Sequence, residues 1–222
     1  MSHSKKKYKV VVIGLPKTGT STLAVMLRML NYTVTGPDIK YKFGDARYLD
    51  ETFGQYDGFQ DYPWCFEWQR FLKYENTKFI VLNREKESWL KSFYESYGRD
   101  KESYLSFPYM KILKERENKE EFLNYFDSYY KTANEYVEKL PSRFLNISLK
   151  AFEWEELCDF LEEELPTNIF GRVVKKPHIN KKNYKKDKKK FTYKTKRKLQ
   201  SFIGKHYWNK TITFLRKNGI VK

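Results

Sequence analysis

A glycine-rich segment near the N-terminus, 10-VVVIGLPKTGTSTL-23, contains the residues with the clearest chemical potential. Gly14 and Gly19 have the spacing of a phosphate-binding loop, in which backbone N–H groups and a helix N-terminus converge on an anion. An ATPase or GTPase places a lysine directly after the second glycine, whereas this chain has Thr20 there and its lysine at position 17. The displaced lysine suits a nucleotide with a single 5′-phosphate that carries a transferable group.

Segments with strand and helix patterns alternate along the chain and predict the scaffold of this loop. Residues 9–14 are apolar and β-branched, as buried parallel strands often are, and residues 21–30 have helical spacing. The other predicted elements are strands at 32–35, 57–61, 78–83 and 142–148, and helices at 62–74, 86–97, 101–140, 154–164 and 192–217. This alternation predicts an α/β three-layer sandwich with a central parallel sheet flanked by helices. The glycine spacing of the loop after the first strand makes the P-loop nucleotide-binding type the expected one.

The length of 222 residues predicts a single α/β domain over residues 1–222, with a basic C-terminal loop and helix from about residue 172. The chain has no apolar run of about 18 residues, so we expect no membrane-spanning helix. Cys65 and Cys158 lie far apart and form no metal-ligand pattern. They are interpreted as reduced core thiols of a cytoplasmic protein, and no metal site is predicted.

The positive charge is concentrated at the C-terminal end. The net charge is +16, but residues 172–222 hold 19 of the 44 Lys and Arg residues and one acidic residue, Asp187. Such asymmetry favours a polyanionic partner or ligand. A solvated, lysine-rich tail explains the same composition equally well.

Several motifs resemble those of the P-loop sulfotransferases, enzymes that use 3′-phosphoadenosine 5′-phosphosulfate (PAPS) as donor. The segment 16-PKTGTSTL-23 resembles their 5′-phosphosulfate loop, P-[KR]-[ST]-G-T-[ST]. Arg84 at a strand end and Ser92 eight residues later resemble their 3′-phosphate pair. The segment 152-FEWEELCDFL-161 is similar to a late W-x-x-L-C-x-F-L helix, and 177-PHIN-180 is similar to P-H-x-N. The motifs occur in the family order.

Asp61-Tyr62-Pro63 resembles the D-x-P motif of a small branch of these sulfotransferases. The chain departs from the common Arg-[Asn/Asp]-Pro pattern because Glu85 follows Arg84, which places a carboxylate beside the predicted phosphate site. A second anion site away from the loop would distinguish the 3′-phosphate of PAPS from ATP, and the guanidinium of Arg84 is a suitable fork for it.

The resemblance implies a donor site and a catalytic pair. The residues matched to donor binding are Pro16, Lys17, Thr18, Gly19, Thr20, Ser21, Thr22, Arg84 and Ser92. Lys17 would stabilise the leaving bridging oxygen during in-line transfer to a hydroxyl or amine, with adenosine 3′,5′-bisphosphate (PAP) as product. Asp61 is the candidate general base, and capping of the next helix is the alternative role for its carboxylate. His178 is the second candidate base.

The acceptor and the closing loop are less defined by the sequence. The donor and an acceptor, either a small molecule or a glycan, are the expected partners, and the oligomeric state is left open. Trp64, Phe66 and Trp68 are candidates for the acceptor pocket, although helical spacing requires some of them to be core. Lys181 or Lys182 would close over the 3′-phosphate, as a basic loop does in larger relatives.

Two other functions fit parts of the sequence. A P-loop nucleotide kinase or NTPase with a displaced lysine requires magnesium and a strand-end aspartate, but the strand at 78–83 leads into Arg84. A basic nucleic-acid-binding protein fits the 14 Lys and Arg residues within 172–198, which alternate with aromatic residues. A nucleic-acid partner is disfavoured because the sequence contains no named RNA- or DNA-binding module.

Overall fold

The computed structural model describes residues 6–38, 40–42, 44–97, 119–148 and 150–177. The chain divides into two compact units, Met1–Leu165 and Pro166–Lys222. The described part of the second unit is a turn in which Thr167 and Val173 form an antiparallel bridge. The single domain over residues 1–222 stays a prediction, and the predicted helix at 192–217 lies outside the described residues.

The described part of the first unit is built on a five-stranded sheet in which every paired strand is parallel. The strands are β1 (Lys9–Ile13), β2 (Val34–Thr35), β3 (Gly58–Phe59), β4 (Thr77–Asn83) and β5 (Phe144–Ser148). Their order across the sheet is β2-β3-β1-β4-β5. Val10–Ile13 of the central strand are fully buried, which explains their uninterrupted apolar pattern.

Helices flank this sheet, which confirms the predicted α/β class. They are α1 (Thr20–Met29), α2 (Ala46–Gln55), α3 (Trp64–Glu67), α4 (Lys86–Tyr97), α5 (Lys119–Lys139) and α6 (Trp154–Leu161). The helix predicted over 62–74 is instead two short elements, α3 and a 3-10 helix at Trp68–Lys73.

Aromatic rings fill the core between the sheet and its helices. Phe53 of α2 stacks on Phe59 of β3 and on Phe71, with ring centroids 4.7 and 4.5 Å apart. Phe79 and Phe144 stack at 4.6 Å across the neighbouring strands β4 and β5. Such ring pairs stabilise the fold by more than their buried area alone accounts for. The strands are therefore supported by closely packed aromatic rings.

The described residues contain no helix with the length and apolar character that crossing a bilayer requires. They also contain no cluster of His, Cys, Asp and Glu that could hold a metal ion. Cys65 and Cys158 are buried free cysteines, and burial raises the pKa of the Cys158 thiol to about 11.

The loop between β1 and α1 is fastened to α4 by a tryptophan. The indole Nε1 of Trp89 donates to the carbonyl oxygen of Pro16 at 2.9 Å. The ring of Trp89 is fully buried and stacks on Phe122 of α5, with centroids 5.0 Å apart. The position of the loop therefore depends on the packing of α4 against α5.

We expect Trp89→Phe to lower the free energy of unfolding by about 1–3 kcal/mol more than Trp154→Phe. Both rings are buried, but only Trp89 loses a hydrogen bond, because Trp154 Nε1 has no partner among the described residues. Urea denaturation of both variants measures the difference. Equal losses would show that the bond to Pro16 contributes nothing to stability.

Candidate functional site

The carboxyl ends of three adjacent strands bring together the residues singled out in the sequence. Gly14 follows β1, Asp61 comes two residues after β3 and Arg84 follows β4. Because these strands are neighbours and parallel, their ends meet at one edge of the sheet, where α/β proteins place ligand sites. The sheet thus supplies the glycine loop, a carboxylate and a guanidinium at a single edge.

The loop after β1 follows a tight path that restricts its residue types. Lys17 has φ +80° and Gly19 has φ +114°, both in the left-handed region. A Cβ atom at Gly14 would lie 2.8 Å from Thr18 Oγ1, which itself donates to the carbonyl oxygen of Leu15 at 2.8 Å. The glycine spacing noted in the sequence is therefore a requirement of this backbone, and Lys17 occupies a conformation that glycine would adopt with less strain.

Arg84 contacts the loop directly. Its Nη1 donates to the carbonyl oxygen of Lys17 at 2.6 Å, and its Nη2 donates to Ser88 Oγ at 3.0 Å. Ser92 is half-buried one helical turn beyond Ser88 on the same face of α4. The sequence reasoning missed Ser88, although its spacing of four residues from Arg84 is a usable signal.

Two positive side chains lie close enough at this edge for the charge of Arg84 to act on Lys17. Burial is the main cause that lowers the pKa of the Lys17 ammonium, and the charge of Arg84 lowers it further. The carboxylates of Asp61 and Glu95 oppose this shift. An anion bound beside both cations offsets their repulsion, so the pair is suited to a phosphate or sulfate group.

Helix α1 begins beside this pair of cations. Its N-cap is Gly19, which has no side chain to accept from the first N–H groups, and its first turn contains no acidic residue. Ser21 in that turn is exposed, whereas Thr20 and Thr22 are buried. The positive end of the helix dipole therefore adds to the two cations.

Asp61 is a buried carboxylate with two polar neighbours. It is 8% exposed and has φ +61°. Its Oδ1 accepts from the backbone N–H of Tyr62 at 2.9 Å, and Thr20 Oγ1 donates to its Oδ2 at 3.4 Å. Burial raises the pKa of Asp61, while these hydrogen bonds and the charge of Lys17 lower it. The N-cap of α3 is Pro63, with no side-chain cap, so the carboxylate of Asp61 does not cap that helix.

The carboxylate of Glu85, which follows Arg84 of the predicted phosphate site, bonds to the backbone at the start of α4. Its two carboxylate oxygens accept from the backbone N–H groups of Glu87 at 2.7 Å and Ser88 at 2.6 Å. These hydrogen bonds lower the pKa of Glu85. The carboxylate therefore stabilises the start of α4, where the N–H groups lack helical partners.

A cavity of about 400 Å³ extends from the residues that follow Asp61. Its described lining consists of Tyr41, Tyr62, Pro63, Phe66, Glu67, Trp68, Gln69, Tyr125, Ser128, Tyr129 and Thr132. Of the three candidates for the acceptor pocket, Phe66 and Trp68 line this cavity, whereas Trp64 is fully buried in the core against Phe59. His178, the second candidate base, and Lys181 and Lys182, the candidates for closing over the 3′-phosphate, fall outside the described residues.

Helix α5 supplies two tyrosines to this region that the sequence did not single out. Tyr130 donates to the carbonyl oxygen of Leu82 at the end of β4, at 2.9 Å. Tyr129 donates to the carbonyl oxygen of Cys65 at 2.7 Å. Both contacts join segments far apart in the chain, so no local pattern could have revealed them.

Comparisons with known proteins agree with this arrangement. Ava biosynthesis cluster protein M of Aspergillus versicolor is 24% identical, and the alignment covers 77% of this chain and 80% of that protein. The sequence model of the family described as "Sulfotransferase domain" matches residues 9–184, a segment that contains the loop, Asp61, Arg84 and Ser92. Because this match spans well over half of the chain and confirms the predicted resemblance, the protein belongs to the sulfotransferase domain family.

Proposed function

We propose that the protein transfers a sulfuryl group from PAPS to a hydroxyl or amine of an acceptor. Membership in the sulfotransferase family supports a transferase that uses a sulfonate donor and an acceptor. The observation that carries the proposal is the contact of Arg84 with the backbone of Lys17, which places two cations beside the start of α1. We further propose that this reaction takes place in the cytoplasm.

The site residues fit both anionic ends of this donor. The first turn of α1 and the ammonium of Lys17 suit the 5′-phosphosulfate. Arg84 suits the 3′-phosphate, because three of its five N–H groups bond to Lys17 and Ser88 and the guanidinium has donors beyond these three. Ser92 adds a hydroxyl on the same face of α4.

The donor supplies a sulfuryl group that is activated by its link to a phosphate. Asp61 accepts the proton of the acceptor while the acceptor oxygen or nitrogen forms its bond to sulfur. Lys17 stabilises the electron pair that stays on the phosphate oxygen as the bridging S–O bond breaks. Burial raises the pKa of Asp61, which makes the carboxylate a better base than an exposed one.

The contact between Asp61 and Thr20 favours one other function, a magnesium-dependent P-loop kinase or NTPase. In such enzymes a loop Ser or Thr and a strand-end aspartate hold the metal. Those enzymes also need the lysine after the second glycine, a position that Thr20 occupies here. The first experiment below separates the two functions.

We expect PAP to raise the melting temperature by several degrees, because a ligand at 100 times its Kd stabilises the native state by about 2.7 kcal/mol. Adenosine 5′-monophosphate at the same concentration should shift it far less, since it lacks the 3′-phosphate. Arg84→Ala should remove this difference between the two nucleotides. An equal or larger shift with ATP and magnesium would favour the kinase.

Lys17→Ala should lower the rate of sulfuryl transfer by about 10²–10³, the typical effect of removing one group that stabilises developing charge. Its melting temperature should stay close to that of the wild type, because alanine and lysine are equally strained at φ +80°. Lys91→Ala, which removes an exposed lysine of α4, is the matched control. Single-turnover assays with labelled donor measure the rates, and wild-type transfer by Lys17→Ala would exclude the proposed role.

We expect kcat/KM to rise with pH along one acidic limb, because Asp61 acts as a base only when deprotonated. The apparent pKa of this limb should lie above the ordinary pKa of an aspartate, because burial raises the pKa of Asp61. Asp61→Asn should remove the limb and lower kcat by about 10²–10⁴. If the limb survives in Asp61→Asn and disappears in His178→Asn, the base is His178.

A further inference from the structure

The cavity beside Asp61 has an aromatic and acidic lining. Six of its eleven described lining residues carry aromatic rings: Tyr41, Tyr62, Phe66, Trp68, Tyr125 and Tyr129. Glu67 is the one charged side chain among those eleven, and none of them is lysine, arginine or histidine. The net charge of the described lining is therefore opposite in sign to that of the basic segment 172–222, whose composition favoured a polyanionic partner.

Glu67 is a half-buried carboxylate whose charge acts on its aromatic neighbours. The hydroxyl of Tyr41 donates to Glu67 Oε1 at 2.9 Å. Burial, aided by this carboxylate, raises the pKa of Tyr41 to about 12, and burial and Glu67 also raise the pKa of Tyr62. The two tyrosines stay protonated and neutral near pH 7, so Glu67 sets the charge of this part of the lining.

The rings around Glu67 stand at steep angles to one another. Tyr41 and Tyr62 meet edge to face at 63°, with centroids 5.9 Å apart, and Tyr62 meets Phe66 at 65° and 6.1 Å. Rings in this arrangement present both faces and edges to a ligand. An aromatic face attracts a cation, and a carboxylate nearby strengthens that attraction. An anion in the same place meets the repulsion of Glu67.

The wall of this cavity continues into the proposed catalytic carboxylate. Tyr62 lines the cavity and donates its backbone N–H to Asp61. Tyr129 of α5 also lines the cavity, and its hydroxyl donates to the carbonyl oxygen of Cys65. The backbone N–H of Cys65 in turn donates to the carbonyl oxygen of Asp61. A molecule in the cavity thus has Asp61 behind the wall at one side and Glu67 within the lining.

We propose that the acceptor is a small aromatic molecule with a protonated amine, which binds in this cavity with its amine at Glu67 and its hydroxyl toward the side where Tyr62 adjoins Asp61. This inference rests on the proposed sulfuryl transfer and names its acceptor class. A volume of about 400 Å³ suits a small molecule of this kind. Glu67 acts as the residue that selects the charge of the acceptor, and it disfavours an anionic acceptor in this cavity.

Three phenols that share a ring and a hydroxyl but differ in terminal charge test this proposal. They are tyramine, which is cationic, 4-ethylphenol, which is neutral, and 4-hydroxyphenylacetate, which is anionic. We expect kcat/KM with labelled PAPS to be highest for tyramine and about tenfold or more lower for the anion. Equal values, or a preference for the anion, would overturn the proposal.

Glu67→Gln identifies the source of the preference. The amide oxygen of glutamine can still accept from Tyr41, so the fold should be retained, with an unchanged melting temperature as the check. We expect this variant to lower kcat/KM for tyramine to the level of 4-ethylphenol. Glu75→Gln, which changes an exposed glutamate outside the described lining, should alter none of the three substrates. If Glu67→Gln still prefers tyramine, Glu67 does not select the charge of the acceptor.

A positive charge added to the lining tests the proposal without the Glu67 variant. Ser128 is an exposed lining residue of α5, so we expect a lysine there to displace no buried side chain. We expect Ser128→Lys to raise kcat/KM for 4-hydroxyphenylacetate and to lower it for tyramine. The control is Lys131→Ser, at an exposed position of the same helix outside the described lining, which should change neither value. No change in Ser128→Lys would show that the cavity does not hold the acceptor.

Binding measured without turnover separates this inference from the proposed function. Calorimetric titration of the three phenols into the protein saturated with PAP should give the same order of affinity as the kinetics. If tyramine binds in this order but no sulfuryl transfer occurs, the proposed reaction fails and the assignment of the cavity stands. If transfer occurs and none of the three phenols binds, the assignment of the cavity fails and the reaction stands.

Discussion

The hydrogen bond from Arg84 to the carbonyl oxygen of Lys17 is the interaction on which the site depends. It joins the end of β4 to the loop after β1 at Lys17, whose backbone is left-handed. Burial lowers the pKa of both Lys17 and Arg84, and the charge of Arg84 lowers that of Lys17 further. A backbone contact thus creates a local excess of positive charge that a bound anion relieves.

Asp61 links this positive edge to the aromatic cavity. Its carboxylate lies near Thr20 of α1 on one side, and its backbone continues into Tyr62 and Pro63 of the cavity wall on the other. Its buried position makes proton transfer sensitive to the same charges that hold the donor, because Lys17 lowers the pKa that burial raises. The proposed donor site and the proposed acceptor site therefore share one titrating group.

The sequence predicted the parts of the molecule that follow from local patterns. The loop, α1, β4 and α4 were placed to within two residues because apolar periodicity and glycine spacing are local signals. Phe66 and Trp68 were pocket candidates, but the rest of the cavity lining could not be predicted, since it forms where α5 meets α3, with Tyr129 and Cys65 separated by 64 positions. Arg84 was assigned to an anion site, but its contacts with Lys17 and Ser88 required the folded arrangement of β1, β4 and α4.

The left-handed backbone at Lys17 has a consequence for engineering. Glycine is the least strained residue for such a position, and a non-glycine residue there costs about 1–2 kcal/mol. A search for thermostable variants that scored folding alone would select glycine at position 17 and discard the ammonium group. If Lys17 has the proposed role, stability and catalysis demand different residues at this position.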